Sequence, residues 1–362
     1  MPEIKRQLRR IYTITLLGSL QFAGACWVAL LAARGFSLTQ IGLAETVFHL
    51  ASFLFEVPSG VIADVFGRRR CMIASQCLSA AASAAMALAG SMGGVCIGMA
   101  LTALSYNFAS GAREALAYET LKQQGREADY EHFAVNDATL WRVGSAIATL
   151  CAGAALWLGP RAAYGVDFTL ALAGLWPALR LREPRASQPA PGSVSRQMAA
   201  ALRERLAVLV RSPRAWRLML VNAAAGAVAT MLLYLLQARL PALGLPAGWL
   251  GPVLFLLGLG STLGLQAARF TGKLPYRLTA VLCSGGILLG TLLGCGSWLP
   301  AVLAGGLLAG MLDDLLDVRS DVALNDMVPS SQRATLVSVS SLTFSLAMLG
   351  IAPLMGVLFN SL

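Results

Sequence analysis

The sequence predicts an all-α protein that crosses a membrane many times. Of its 362 residues, 57% are hydrophobic and only 13% are charged, whereas an average soluble domain has about 25% charged residues. A soluble fold of this size has too little interior to bury so much apolar surface. The apolar residues also come in runs of about 20, the length of a membrane-spanning helix. This composition excludes a soluble enzyme, a disulfide scaffold and a disordered chain.

The apolar runs predict eleven spans in two groups. They lie near residues 11–34, 38–63, 71–92, 93–119, 135–158, 160–181, 214–240, 246–268, 276–296, 298–321 and 331–359. A segment rich in Pro and Ser separates six spans from five. We therefore predict a six-helix half over 1–182, a cytoplasmic linker over 183–213 and a five-helix half over 214–362. Within the linker, residues 195–210 carry apolar side chains every four residues, which predicts an amphipathic helix on the membrane surface.

The Lys and Arg residues predict the orientation. If the N-terminus is cytoplasmic, the inner segments hold 22 of the 28 Lys and Arg residues, the outer segments hold three, and three fall within spans. Inner loops of membrane proteins are richer in these residues. We expect a cytoplasmic N-terminus, and eleven spans would then place the C-terminus outside. Only three of the 28 are Lys, a bias typical of GC-rich bacteria, which favours a bacterial inner membrane.

The segment between the second and third spans carries the most specific pattern. It reads Gly60-Val-Ile-Ala-Asp64-Val-Phe-Gly67-Arg68-Arg69-Arg70. The glycines allow a tight turn, the Asp can cap a helix or pair with a base, and the arginines can bind helix C-termini or lipid headgroups. This pattern resembles the G-x-L-A-D-R-x-G-R-[RK] loop motif of the major facilitator superfamily, in the position where that family has it. One departure is Val65, where the motif usually has Arg.

The resemblance implies a fold of two pseudo-symmetric helical halves that work by alternating access. Two further segments, 55–60 and 110–119, resemble patterns in poorly characterised bacterial members of the family. The family role of the loop motif is a conformational latch, which here would consist of Gly60, Asp64, Gly67, Arg68, Arg69 and Arg70. The family usually has twelve spans, so we expect a peripheral twelfth helix to be absent, either natively or through truncation.

Charged side chains inside spans are costly and usually face a cavity or a partner. In the second span, Glu45 and His49 lie one helical turn apart, and imidazole titrates near neutral pH. They are candidates for proton coupling, and a structural hydrogen-bonded pair is the alternative.

In the tenth span, Asp313, Asp314 and Asp317 form an acidic run. This run would suit a proton site or a cationic substrate group, and a hydrated helix end is the alternative.

The fourth and fifth spans contain a second group of candidates. Asn107 and Glu114 share a face of the fourth span, and Arg113 lies beside them. Arg142 lies at a similar depth in the fifth span. Because an unpaired buried charge is far costlier than a paired one, we expect Glu114 and Arg142 to form an ion pair.

These features predict a secondary active transporter for a small organic solute, coupled to protons or another ion. Few polar residues lie in the seventh span, which favours an amphipathic solute over a sugar; uptake and efflux both remain open. Alternatives are a lipid translocator of the same fold, which would bind membrane lipids, and a truncated relative that does not transport.

The sequence contains no P-loop and no hydrolase motif, so we expect no catalytic residues, cofactor or metal. The basic residues are spread over the loops, which disfavours nucleic-acid binding. The oligomeric state stays open.

Overall fold

The computed structural model describes residues 2–184, 212–327 and 333–362, together with Arg196, Met198, Ala199 and Arg203. In this part of the chain the secondary structure is helical and contains no strand. The predicted all-α architecture is therefore confirmed.

Fourteen α-helices are present in the described ranges. In chain order they are α1 (Pro2–Ser19), α2 (Trp27–Ala33), α3 (Leu38–Phe66), α4 (Arg68–Leu88), α5 (Met92–Ala109), α6 (Ala112–Lys122), α7 (Tyr130–Leu150), α8 (Ala152–Leu158), α9 (Pro160–Leu179), α10 (Pro213–Ala242), α11 (Ala247–Phe270), α12 (Tyr276–Gly294), α13 (Leu299–Asn325) and α14 (Arg333–Asn360). Short 3₁₀ turns at Gly24–Cys26 and Glu127–Asp129 precede α2 and α7.

Ten helical segments of the described chain are long and apolar enough to cross a membrane. Two of them each contain an interruption: α1 and α2 together form one span, and α5 and α6 form another. An eleventh span results if α7 and α8, which meet at a 50° bend, count as one. The protein is therefore a multi-pass membrane protein, and its ten to eleven spans agree with the predicted number.

Local sequence explains two of the helix boundaries. Gly67 separates α3 from α4 with φ of 99°, a conformation that side chains other than glycine rarely adopt. Gly159 has φ of 81° and is followed by Pro160 at the first position of α9, where proline's missing N–H costs nothing.

The described chain divides into two compact units. The first unit comprises Met1–Trp27 and Ala51–Ala201, and the second comprises Val28–Leu50 and Leu202–Leu362. Residues 28–50 belong to the second unit because the start of α3 packs tightly on α14: a Cβ built at Gly356 would lie 3.2 Å from Gly42 Cα and 2.6 Å from the Leu38 carbonyl oxygen. The predicted boundaries 1–182, 183–213 and 214–362 stay a prediction.

Most of the amphipathic helix predicted over 195–210 lies outside the described residues. The four described positions in it, Arg196, Met198, Ala199 and Arg203, are helical.

Candidate functional site

In the first unit, the carboxylate of Glu183, which follows α9 in the chain, caps the helix that begins after Gly67. The backbone N–H groups of Arg68 and Arg69 donate hydrogen bonds of 2.8 and 2.7 Å to the two oxygens of Glu183. These N–H groups belong to the first turn of α4, where backbone donors lack helical partners and a negative charge is favoured. A Cβ built at Gly67 would lie 2.9 Å from Glu183 Oε2, so this glycine also leaves room for the carboxylate.

The side chains of the same arginines make different contacts. Arg68 forms ion pairs with Asp64, at 3.5 Å, and with Glu119 at the end of α6. Arg69 Nη2 donates a 2.8 Å hydrogen bond to the Leu179 carbonyl at the end of α9. A helix C-terminus is one of the two kinds of partner expected for these arginines from the sequence. Gly60 and Arg70 are exposed.

Sequence reasoning missed Glu183. It precedes Pro184, directly after the sixth apolar run, and a lone Glu at the start of a linker has no motif to distinguish it. Its role depends on α9 ending beside α4, and helical periodicity does not encode that placement.

The buried charges of α6 and α7 differ from the prediction. The ion pairs of the described residues do not include Glu114–Arg142, and both of these side chains are exposed. Arg113 instead pairs with Asp137, at 3.3 Å between Nε and Oδ2. Successive helical residues point about 100° apart, so Arg113 faces inward where Glu114 faces outward. Asp137 and Arg142 are five residues apart on α7, so they point about 140° apart by the same geometry.

Asp137 is only 6% exposed and is held from two sides. Besides the Arg113 pair, its Oδ1 accepts a 2.6 Å hydrogen bond from the Thr15 hydroxyl on α1. The guanidinium carbon of Arg113 also lies 5.9 Å from the centroid of the Trp141 ring, within range of a cation–π contact. Sequence reasoning missed Asp137, although an Asp seven residues into α7 is the kind of intramembrane charge that should have been considered.

Asn107 joins α5 to α3 by a reciprocal pair of hydrogen bonds. Its amide nitrogen donates to the Ser52 carbonyl at 2.9 Å, and its amide oxygen accepts from the Ser52 hydroxyl at 3.0 Å. Asn107 is buried, so both polar ends of its amide are satisfied inside the first unit.

Asp167 binds the backbone at the break between α1 and α2, a role that was not predicted from the sequence. Its carboxylate, on α9, accepts backbone hydrogen bonds from Phe22 at 2.5 Å, from Ala23 at 3.1 Å and from Gly24 at 3.0 Å. The residue is 7% exposed. A broken helix within a span leaves N–H groups that need a partner, and one carboxylate supplies it for three of them.

In the second unit, Glu45 and His49 form the pair that their spacing predicted. Glu45 Oε1 lies 3.2 Å from His49 Nε2, and His49 Nδ1 lies 3.4 Å from the Ser345 hydroxyl of α14. All three residues are buried. The Phe48 and Phe344 rings pack edge-on against the imidazole, with centroid distances of 5.1 and 5.5 Å.

The acidic run of α13 is more open than this pair. Asp313 and Asp314 are half-buried, and Asp317 is exposed. Asp317 accepts a 2.9 Å hydrogen bond from the Asn222 amide of α10. Nearby, Arg319 donates to the Leu274 carbonyl at 2.8 Å. Among the described residues, no group of three or more His, Cys, Asp or Glu side chains could hold a metal ion.

Comparison with known proteins points to one family. The sequence profile of the family described as Major Facilitator Superfamily matches residues 11–294. No curated protein is a significant match to the chain.

Solved transporter structures have a similar fold. The nucleoside transporter NupG superposes with a TM-score of 0.74 at 14% identity, over 97% of this chain and 91% of that one. A POT family transporter crystallised with 5-aminolevulinic acid gives 0.70 at 12% identity, over 98% and 93% of the two chains. A D-xylose–proton symporter gives 0.66 at 14% identity, over 98% and 97%. At these identities the likeness concerns the fold.

Proposed function

Because the chain belongs to the major facilitator superfamily, we propose that it is a secondary transporter of a small organic solute that works by alternating access. The observation that carries the proposal is the match of the family profile over most of the chain, on an architecture of ten to eleven spans. The similar structures of a nucleoside transporter and a D-xylose–proton symporter support it. The excess of Lys and Arg in alternate loops supports an inner-membrane location with a cytoplasmic N-terminus.

Proton coupling is the second part of the proposal. Two groups of protonatable side chains lie within the predicted spans of the second unit: the Glu45–His49 pair on α3, and Asp313 and Asp317 on α13. An imidazole beside a carboxylate can accept and pass on a proton, and half-exposed carboxylates can exchange protons with water or bind a cationic group of the solute.

The loop from Gly60 to Arg70 is proposed as a conformational latch. Its support is the ion-paired set Asp64, Arg68 and Glu119 beside the Glu183 cap. The Asp64 side chain is 67% exposed, and exposed ion pairs each contribute little to stability, about 0–1 kcal/mol, so the Asp64–Arg68 pair can break and re-form during a transport cycle.

Transport by purified protein in liposomes tests the function. Nucleosides, pentoses, short peptides and amphipathic amines should be offered with and without an inward proton gradient. Accumulation of one class that depends on the gradient is the expected result, and Asp313→Asn should abolish that accumulation. Exchange of labelled for unlabelled solute at equal pH should survive in this variant, because exchange needs no net proton movement.

The matched control lies on the same helix. Asp321 is exposed near the end of α13, so Asp321→Asn should transport like the wild type. Accumulation that is insensitive to the gradient, or equal in Asp313→Asn and the wild type, would contradict the coupling.

A further inference from the structure

One phenyl ring of the second unit packs against His49 and also comes near Asp313. The Phe344 ring on α14 packs edge-on against His49, with an interplanar angle of 71°. A Cβ built at Gly226 on α10 would lie 3.5 Å from Phe344 Cε2 and 3.3 Å from Asp313 Oδ1. The ring and the carboxylate therefore approach the same point from different helices, and the missing side chain at Gly226 leaves that point open.

The positions of His49 and Asp313 along their helices place the ring between two runs of protonatable residues. One run leads toward the outer surface and the other toward the cytoplasm. His49 is eleven residues from the start of α3, about 16 Å along the helix axis at 1.5 Å per residue. Asp313 is fourteen residues from the start of α13, or about 21 Å. In the predicted orientation both helices start at the outer surface. Glu45 then continues from His49 toward the outside, and Asp317 continues from Asp313 toward the cytoplasm.

The groups around the ring differ in their ability to carry protons. From α3 the protonatable groups are Glu45 and His49, and from α13 they are Asp313 and then Asp314 and Asp317. The neighbouring polar groups on α14 and α10, Ser345 and Asn222, are neutral. A phenyl ring has no group that donates, accepts or relays a proton. Removing it would leave space for water beside polar partners, the conditions under which a cavity fills.

We propose that Phe344 is a gate that prevents direct proton exchange between the Glu45–His49 pair and Asp313. The proposal rests on the proposed proton coupling: a coupled transporter must not let protons pass unless solute moves with them. Gly226 belongs to the gate because its missing side chain leaves open the space that both the ring edge and the carboxylate border. Loss of the ring would join the two runs through water and create an uncoupled proton path.

Proton entry into liposomes without any solute tests the gate. With a pH-sensitive dye inside and a potassium diffusion potential applied, the wild type should be as tight as empty liposomes. Phe344→Ala should admit protons at least about tenfold faster, the equivalent of a barrier lowered by about 1.4 kcal/mol. Phe344→Leu keeps an apolar side chain of similar bulk and should admit protons more slowly than Phe344→Ala. If the alanine variant does not fold, the leucine variant is the one to measure.

Two further variants separate a specific path from general damage. Phe344→Ala combined with Asp313→Asn should be tight again, because the path would lack its inner carboxylate. Phe48→Ala removes the other ring against His49, which comes from His49's own helix, and should stay tight. The gate is refuted if both Phe344 variants are tight, or if the leak persists without Asp313. Proton movement driven by solute in the wild type is a separate measurement, so the proposed function can fail while the leak still reports on the gate.

Discussion

The Asp167 carboxylate of the first unit accepts three backbone hydrogen bonds, whereas Asp313 of the second unit is half-buried beside a glycine and a phenyl ring. Asp137 resembles Asp167, since an arginine and a threonine hold it. Asp317 resembles Asp313, since it is exposed and its donor among the described residues is the Asn222 amide.

This difference distinguishes two uses of an acid in a membrane-spanning helix. A carboxylate whose oxygens accept several fixed donors is costly to move, because each donor would lose its partner. A carboxylate with water access and few donors can change its protonation or bind a ligand at little structural cost. The acids of the first unit are therefore expected to act in folding, and those of α13 in transport.

The largest loss of stability is expected from a change at Asp167. Asp167→Ala would leave three backbone N–H groups without their acceptor inside a span, at a cost of about 4 kcal/mol or more. Thermal unfolding of the detergent-purified protein, followed by size-exclusion chromatography of the soluble fraction, should show a much lower midpoint. Asp317→Ala is the matched change in the second unit and should move the midpoint little. Equal midpoints for the two variants would remove the distinction between the units.

A smaller effect is expected at Arg113 and Asp137. Either Arg113→Met or Asp137→Leu alone leaves a largely buried charge without its partner, which should cost about 3 kcal/mol. The double variant removes both charges and should be more stable than the Asp137→Leu single variant. Unfolding midpoints of the four proteins form a double-mutant cycle. Additive losses would show that the two charges do not interact.

The smallest effect concerns the packing of α3 on α14. Gly356→Ala would place a methyl group against Leu38, Thr39 and Gly42, with an overpacking cost of about 1–2 kcal/mol. Gly350→Ala on the same helix has nothing within 4 Å of its new Cβ and should gain slightly from the better helix propensity of Ala. Melting curves that rank the two variants in the opposite order would contradict the close approach.

Sequence reasoning was most reliable where the physics is local. Membrane-spanning length is a property of each apolar run, so the spans could be predicted one at a time. The i, i+4 spacing brought Glu45 and His49 together because both residues lie on one helix. The Glu114–Arg142 pair was wrong because the prediction used depth alone; depth does not determine which way a side chain points around its helix.

The sequence by itself determined the membrane class, the number of spans, the charge asymmetry and the motif that resembles the family. The tertiary structure alone decided the partners of the buried charges: Asp137 meets Thr15 across 122 residues, and Asp167 meets Gly24 across 143. The physical reason is that helix formation depends on neighbours within about four residues. The rotation of one helix against another depends on the packing of the whole bundle.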